Sequence, residues 1–243
     1  MIYTTKGIVL RTIKYGETSV IASIFTEMFG IQSYIINAVR TQGKSSKAHF
    51  FQPSSLLEMQ VYHNELKNLQ RIKELKWSAL YKNILSEVAK NAVALYMIEL
   101  LQKCLKQPET NTDLFHFCED ALLELDLAED EITANFPAFF ALQLVHFLGF
   151  RLQDNYTNEL KHFDLREGNF TNAILSKEYF TDTLISFHIS QLLKAMQPAD
   201  LSQIKLNKNL RKSILQVVEK YYAFHIPEFG TMKTLPVLHE LMN

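Results

Sequence analysis

The stretch RTIKYGETSVIASIFTEMFGIQSYIINAVR, residues 11 to 40, sets two apolar-rich runs on either side of Gly30 and carries an arginine at each end. Its apolar residues recur with period 2, and the runs break at Tyr15-Gly16-Glu17 and Phe29-Gly30, where residue types tolerate tight backbone geometry. The pattern predicts strands over Thr4–Ile13, Val20–Met28 and Ile31–Val39. Two more, Leu56–Tyr62 and Leu69–Lys76, follow the polar segment Arg40–His49 and the break His63-Asn64-Glu65. Five short strands in so little chain is the strand count of the OB-fold, a small Greek-key barrel that binds oligonucleotides.

Beyond this unit the period changes. Ile84, Leu85, Val88, Ala92, Leu95, Tyr96 and Ile98 recur at helical spacing, predicting a helix over about Leu80–Leu105 that ends before Pro108. Further helices are expected over Thr112–Leu127, over Asn135–Leu148 with Pro137 in its first turn and Gly149 as its stop, and over Thr181–Met196, Leu210–Phe224 and Leu235–Met242. Residues 151–180 lose the helical period and collect Asn, Asp and Gly, so they read as an irregular or hairpin insert. The expected architecture is α+β with two domains: a five-stranded OB-fold barrel over 1–79, then an all-α domain over 80–243 that carries the insert.

The chain has 243 residues, 47% of them hydrophobic and 21% charged, enough apolar content to bury a core. It shows no export signal and no apolar run long enough to span a membrane, which places it in the cytoplasm. Cys104 and Cys118, its two cysteines, read as free thiols. The net charge of -1 conceals an asymmetry. Residues 1–82 hold 11 Lys+Arg against 5 Asp+Glu, or +6, leaving 14 against 21, or -7, for the remainder. A basic front half fits a module that grips a polyanion.

Enzyme chemistry finds little support. Gly43-Lys44-Ser45 matches the end of a phosphate-cradling loop, but Ala38 stands where its first glycine is required and no helix follows. The eight histidines are scattered singly, His116 and Cys118 lack a second close pair, and no metal site is predicted. No nucleophile elbow or acid/base pair assembles, so no catalytic residues and no cofactor are assigned. What remains is the basic front end. Lys6, Arg11, Lys14, Arg40, Lys44, Lys47, Arg71, Lys73 and Lys76 are the candidate DNA-binding residues, because phosphate contacts by Lys and Arg supply most sequence-independent affinity. Aromatic residues interleave among them, and some can stack on unpaired bases. A protein-protein adaptor, whose small barrel binds peptide and whose basic charge is incidental, is the competing reading.

The same residues resemble the RecO family of bacterial recombination mediators. Residues 7–40 are similar to its first three strands, with Ile-Val-Leu, Tyr-Gly-Glu, Phe-Thr and a glycine-led third strand in order. FQPSSLLEMQVYH (51–63) and LQRIKELKW (69–77) resemble the fourth and fifth. AFFALQLVHFLGFRL (138–152) looks like the helix ending in Leu-Gly-Phe, and LRKSILQVVEKYY (210–222) and MKTLPVLHELM (232–242) look like the closing helices. The resemblance implies an OB-fold followed by a helical domain, binding of single- and double-stranded DNA, annealing of complementary strands, and help in loading RecA onto DNA coated by single-strand-binding protein. It implies RecR and the acidic tail of single-strand-binding protein as partners, RecA indirectly, and a place at the nucleoid. Arg11, Arg40, Lys44 and Lys47 are the basic positions it matches. The segment IKLNKNLRKS, with Lys205, Lys208, Arg211 and Lys212, is the candidate for receiving the acidic tail, against the simpler reading of a solvated helix start. Many family members carry a four-cysteine zinc knuckle after Leu-Gly-Phe. Here HFDLREGNF (162–170) stands in that region, so packing and hydrogen bonds are expected to hold the insert.

Overall fold

The computed structural model describes residues 1–37, 39, 47–150, 152–173 and 178–241. The chain divides into two compact units, one of Met1–Lys82 with Leu101–Leu123 and one of Asn83–Leu100 with Glu124–Asn243.

The first unit is built on five strands: β1 (Ile2–Tyr15), β2 (Ser19–Thr26), β3 (Gly30–Ile36), β4 (Leu56–Tyr62) and β5 (Leu69–Trp77). They close into a barrel in the order β1-β2-β3-β5-β4, with β3 and β5 parallel and every other pair antiparallel. This is the OB-fold expected from the strand count. β1 is longer than its predicted span because it serves two neighbours: Ile2–Ile8 pair with β4 and Gly7–Tyr15 pair with β2. A bulge at Leu10 re-aims the strand between them. β2 stops at Thr26, short of the predicted Met28. The Thr26 hydroxyl donates to the Gly30 carbonyl at 2.8 Å and accepts from the Phe29 amide at 3.1 Å, which closes the turn early.

Alternation fills the barrel. Val9, Val20, Ala22, Ile24, Tyr34, Ile36, Leu57, Met59 and Val61 point inward and are buried together. In β5 the inward set changes parity, from Ile72 to Leu75 and Trp77, because pairing with β4 skips Lys73: Val61 faces Ile72 while Gln60 faces Glu74. Part of the barrel's outside is covered within the same unit. Ile8, Phe25 and Leu56 point outward yet are buried, Phe25 lies 5.5 Å from the Phe115 ring, and the Gln102 carboxamide donates to the Leu10 carbonyl.

Two helices, α1 (Val88–Cys104) and α2 (Thr112–Leu127), run through the division between the units. α2 matches its predicted bounds. α1 begins eight residues later than expected because the preceding turn is held by Asp126, whose carboxylate accepts from the backbone amides of Asn83 and Ile84 at 2.8 Å each.

In the second unit α3 (Asp130–Leu144) packs on α4 (Thr183–Lys194), on α5 (Lys208–His225) and on a 3-10 turn over Pro198–Gln203. α3 starts five residues before the predicted Asn135, so Pro137 lies inside the helix and not in its first turn. Glu129, Asp130 and Glu131 are the start signal: acidic residues there favour the positive end of the helix dipole. Every residue from Asn135 to Leu142 is buried, the mark of a central helix. The chain closes with α6 (Thr234–Leu241), whose first turn is capped by the Glu99 carboxylate.

The insert forms a short hairpin of β6 (His162–Asp164) and β7 (Asn169–Thr171). The Asn155 side chain accepts from the Phe170 amide at 2.7 Å and donates to its carbonyl at 2.9 Å, like an added strand residue. The Asp164 carboxylate accepts from the Arg166 and Glu167 amides in the turn, and Phe163, Phe170 and Tyr156 pack their rings together. No described helix is long and apolar enough to cross a membrane.

Candidate nucleic-acid interface

The barrel registers carry one outward row of residues across five strands: Ile13 on β1, Ile21 on β2, Ile35 on β3, Arg71 on β5 and Tyr62 on β4. A parallel row runs Arg11, Ser23, Ser33 and Leu69. Tyr15 stands beyond Ile13 on the same face of β1 and is 52% exposed. On β2 and β3 this gives a half-buried patch of Ile21, Ser23, Ser33 and Ile35, flanked by exposed Arg11, Ile13 and Tyr15 on β1 and by exposed Arg71 on β5. Strand alternation produces it: between inward Val20, Ala22, Tyr34 and Ile36, the residues Ile21 and Ile35 have to point outward.

The nine candidate DNA-binding residues fall into three groups. Arg11, Lys14, Lys47 and Arg71 are exposed and join no ion pair among the described residues. Lys6, Lys73 and Lys76 are engaged inside the unit. The Lys6 ammonium lies 2.8 Å from the buried Glu119 carboxylate, and that hydrogen bond raises its pKa. Lys76 meets Glu58 at 3.0 Å across the β4–β5 ladder, and Lys73 reaches the Gln60 carboxamide at 3.3 Å and Glu74 at 3.8 Å. Arg40 and Lys44 lie outside the described residues, and so does Gly43-Lys44-Ser45. Of the first group, Arg11 on β1 and Arg71 at the start of β5 face outward, Lys14 shares the register of inward Val20 at the end of β1, and Lys47 precedes the 3-10 turn Ala48–Phe51. Lys6, Lys73 and Lys76 belong to the opposite side of β1, β4 and β5, where carboxylates interleave.

Sequence reasoning missed two parts of this surface. The isoleucine row is one, because apolar residues in a strand are read as core. The other is a cleft of about 430 Å³ between β3, the β4–β5 loop and residues 106–110. Phe29, Ser33, His63, Lys67, Asn68 and Gln70 are among its walls. Lys67, in the β4–β5 loop, is exposed and is not among the nine candidates.

The four candidate partner-binding residues lie at the start of α5. Lys205 pairs with Glu131 at 2.8 Å, the Arg211 guanidinium donates to the Leu206 carbonyl, and Lys208 and Lys212 are exposed. A second cleft, of about 410 Å³, is lined by Glu131, Asn135, Lys205, Leu206 and Arg211. Burial lowers the Arg211 pKa, and its Nε is buried without a hydrogen-bond partner among the described residues.

Among the described residues, no three His, Cys, Asp or Glu side chains are grouped to hold a metal. Cys104 and Cys118 are free, and burial pushes both thiols far above their ordinary range, which leaves them unreactive at neutral pH.

Residues 1–81 match the family described as recombination protein O N terminal, and residues 85–158 match recombination protein O C terminal. The DNA repair protein RecO of Flavobacterium johnsoniae is 31% identical over 98% of both chains. The chain belongs to the RecO family. Proteins of the same name from Christiangramia forsetii, 31% identical, and Azobacteroides pseudotrichonymphae, 28% identical, align over the whole of both chains. Family membership assigns the barrel to the N-terminal family domain, so the open arginine face is the outer surface of a RecO-family OB-fold.

Proposed function

We propose that this chain is a non-enzymatic DNA-repair mediator that binds single- and double-stranded DNA on the open face of its barrel. The carrying observation is the placement of Arg11 and Arg71, both exposed and in no ion pair among the described residues, in adjacent outward rows on either side of β2 and β3, where side chains of OB-folds meet oligonucleotides. Guanidinium groups neutralise phosphates and release counterions, and the half-buried isoleucine and serine side chains of β2 and β3 between them leave room for bases. One surface that screens two strands while leaving their bases unpaired brings complementary strands together, and annealing follows with no nucleotide consumed. In the cell the same activity would help load RecA onto DNA coated by single-strand-binding protein, with RecR as a further partner.

The basic start of α5 supports the second contact. Arg211 bears a partly desolvated charge and joins no ion pair among the described residues, beside a cleft whose Glu131 is paired with Lys205, and an acidic peptide tail from single-strand-binding protein would supply a carboxylate.

A strand-annealing assay with and without single-strand-binding protein tests the reading. Faster annealing of both naked and coated strands is expected. Partner binding without any acceleration, or any affinity for DNA, would favour a protein-protein adaptor instead.

A further inference from the structure

We propose that the cleft beside the β4–β5 loop seats one unpaired base of a bound single strand, stacked against the Phe29–His63 ring pair. The inference rests on the DNA-binding reading of the barrel face and says which chemical part of DNA enters the cleft. Phe29 and His63 lie nearly parallel, 3.9 Å apart at 12°. Tyr3 meets them edge-on at 5.3 Å and 6.2 Å, so the pair is clamped from the side. Flat rings fixed in this way at the wall of a cleft suit a flat ligand, and every base offers a π-face whatever its identity.

The walls are set before any ligand arrives. Gln70 is buried, its Oε1 accepts from the Asn64 amide at 3.0 Å, and its Nε2 donates to the carbonyls of Asn64 and Lys67. One core-facing carboxamide thus holds the whole loop that carries His63 and Lys67, and a preformed site loses less entropy on binding. The volume of about 430 Å³ falls in the range of small-molecule sites. The Nδ1 of His63 is buried with no hydrogen-bond partner among the described residues, an unusual state for a polar atom and one that marks the ring as incompletely used by the fold.

The cleft is continuous with the arginine face. Ser33 belongs to the row of Arg11 and Ser23, and it also lines the cleft. A strand whose phosphates follow the row from Arg11 would reach Ser33, where the next base turns in and Lys67 stands at the rim for its phosphate. A duplex keeps its bases paired and cannot fill the cleft, so the site favours single strands.

The test uses the full chain with three labelled ligands: an oligothymidylate, the same strand made abasic, and a strand carrying 2-aminopurine. Wild-type protein should bind the oligothymidylate on the order of tenfold more tightly than the abasic strand and quench 2-aminopurine. His63→Ala should remove that preference and leave the salt slope unchanged, while His63→Phe restores it. Equal affinity for base-bearing and abasic strands with a normal salt slope overturns the base site and leaves the phosphate-binding face standing. Absence of binding to either strand at low salt overturns both. If His63→Ala fails to fold, the wild-type comparison and the 2-aminopurine signal decide alone.

Discussion

Arg11 and Lys6 are five residues apart on one strand and have opposite fates, and the partner each side chain finds is the cause. Lys6 is committed to Glu119, whose carboxylate is 8% exposed. Lys6→Ala should therefore lower stability by about 1–2 kcal/mol, below the 3–5 of a wholly buried pair because the Lys6 side chain is itself 40% exposed. Its effect on the salt dependence of DNA binding should be small. A urea melt and a salt titration of the same variant separate the two roles. A flattened salt slope with unchanged stability would return Lys6 to the phosphate-binding set. Nothing in the sequence distinguishes these two cations, since Glu119 lies 113 residues from Lys6 along the chain.

The elements themselves were legible where local chemistry decides them. Five strands and the long helices follow from periodicity, and Thr112–Leu127 was read to the residue because capping and apolar spacing agree there. The misses have distant causes: Asp126 delays α1, and the Thr26 hydroxyl shortens β2. Bulges were invisible too. Simple alternation puts Arg71 and Lys76 on opposite faces of β5, whereas the skipped Lys73 sends both outward. The turn that opens β3 gives a sharp test. Gly30 has φ +61, and a Cβ there would lie 2.3 Å from the Glu109 carbonyl oxygen. Gly30→Ala should lose about 1–2 kcal/mol from the left-handed backbone alone, with the clash adding to it. An unchanged melting temperature would contradict this account of the turn.

For the whole molecule, the fold was nearly all readable and the candidate site only in part, because a site is a surface that register assembles from five strands. Two responses to conditions follow. In the helical unit, burial lowers the pKa values of His188 and His239, and each has a buried ring nitrogen without a hydrogen-bond partner among the described residues. The unfolded chain then binds more protons than the folded one below about pH 6.5, so stability is present above that pH and is lost as pH falls through the folded values. Thermal melts at pH 7.5 and 5.5 should show this, and His188→Gln should reduce the difference. The insert hairpin is tied by Asn155, Asp164 and packed rings, so a strong chelator should leave the melting temperature unchanged; a fall would show that a metal contributes. The central claim is that Arg11 and Arg71 form one phosphate-binding face. Single-stranded DNA affinity measured across a salt series tests it most directly. The double variant Arg11→Ala/Arg71→Ala should bind more weakly and lower the slope of log K against log salt by about two. A wild-type affinity indifferent to salt, or a double variant with an unaltered slope, would contradict it.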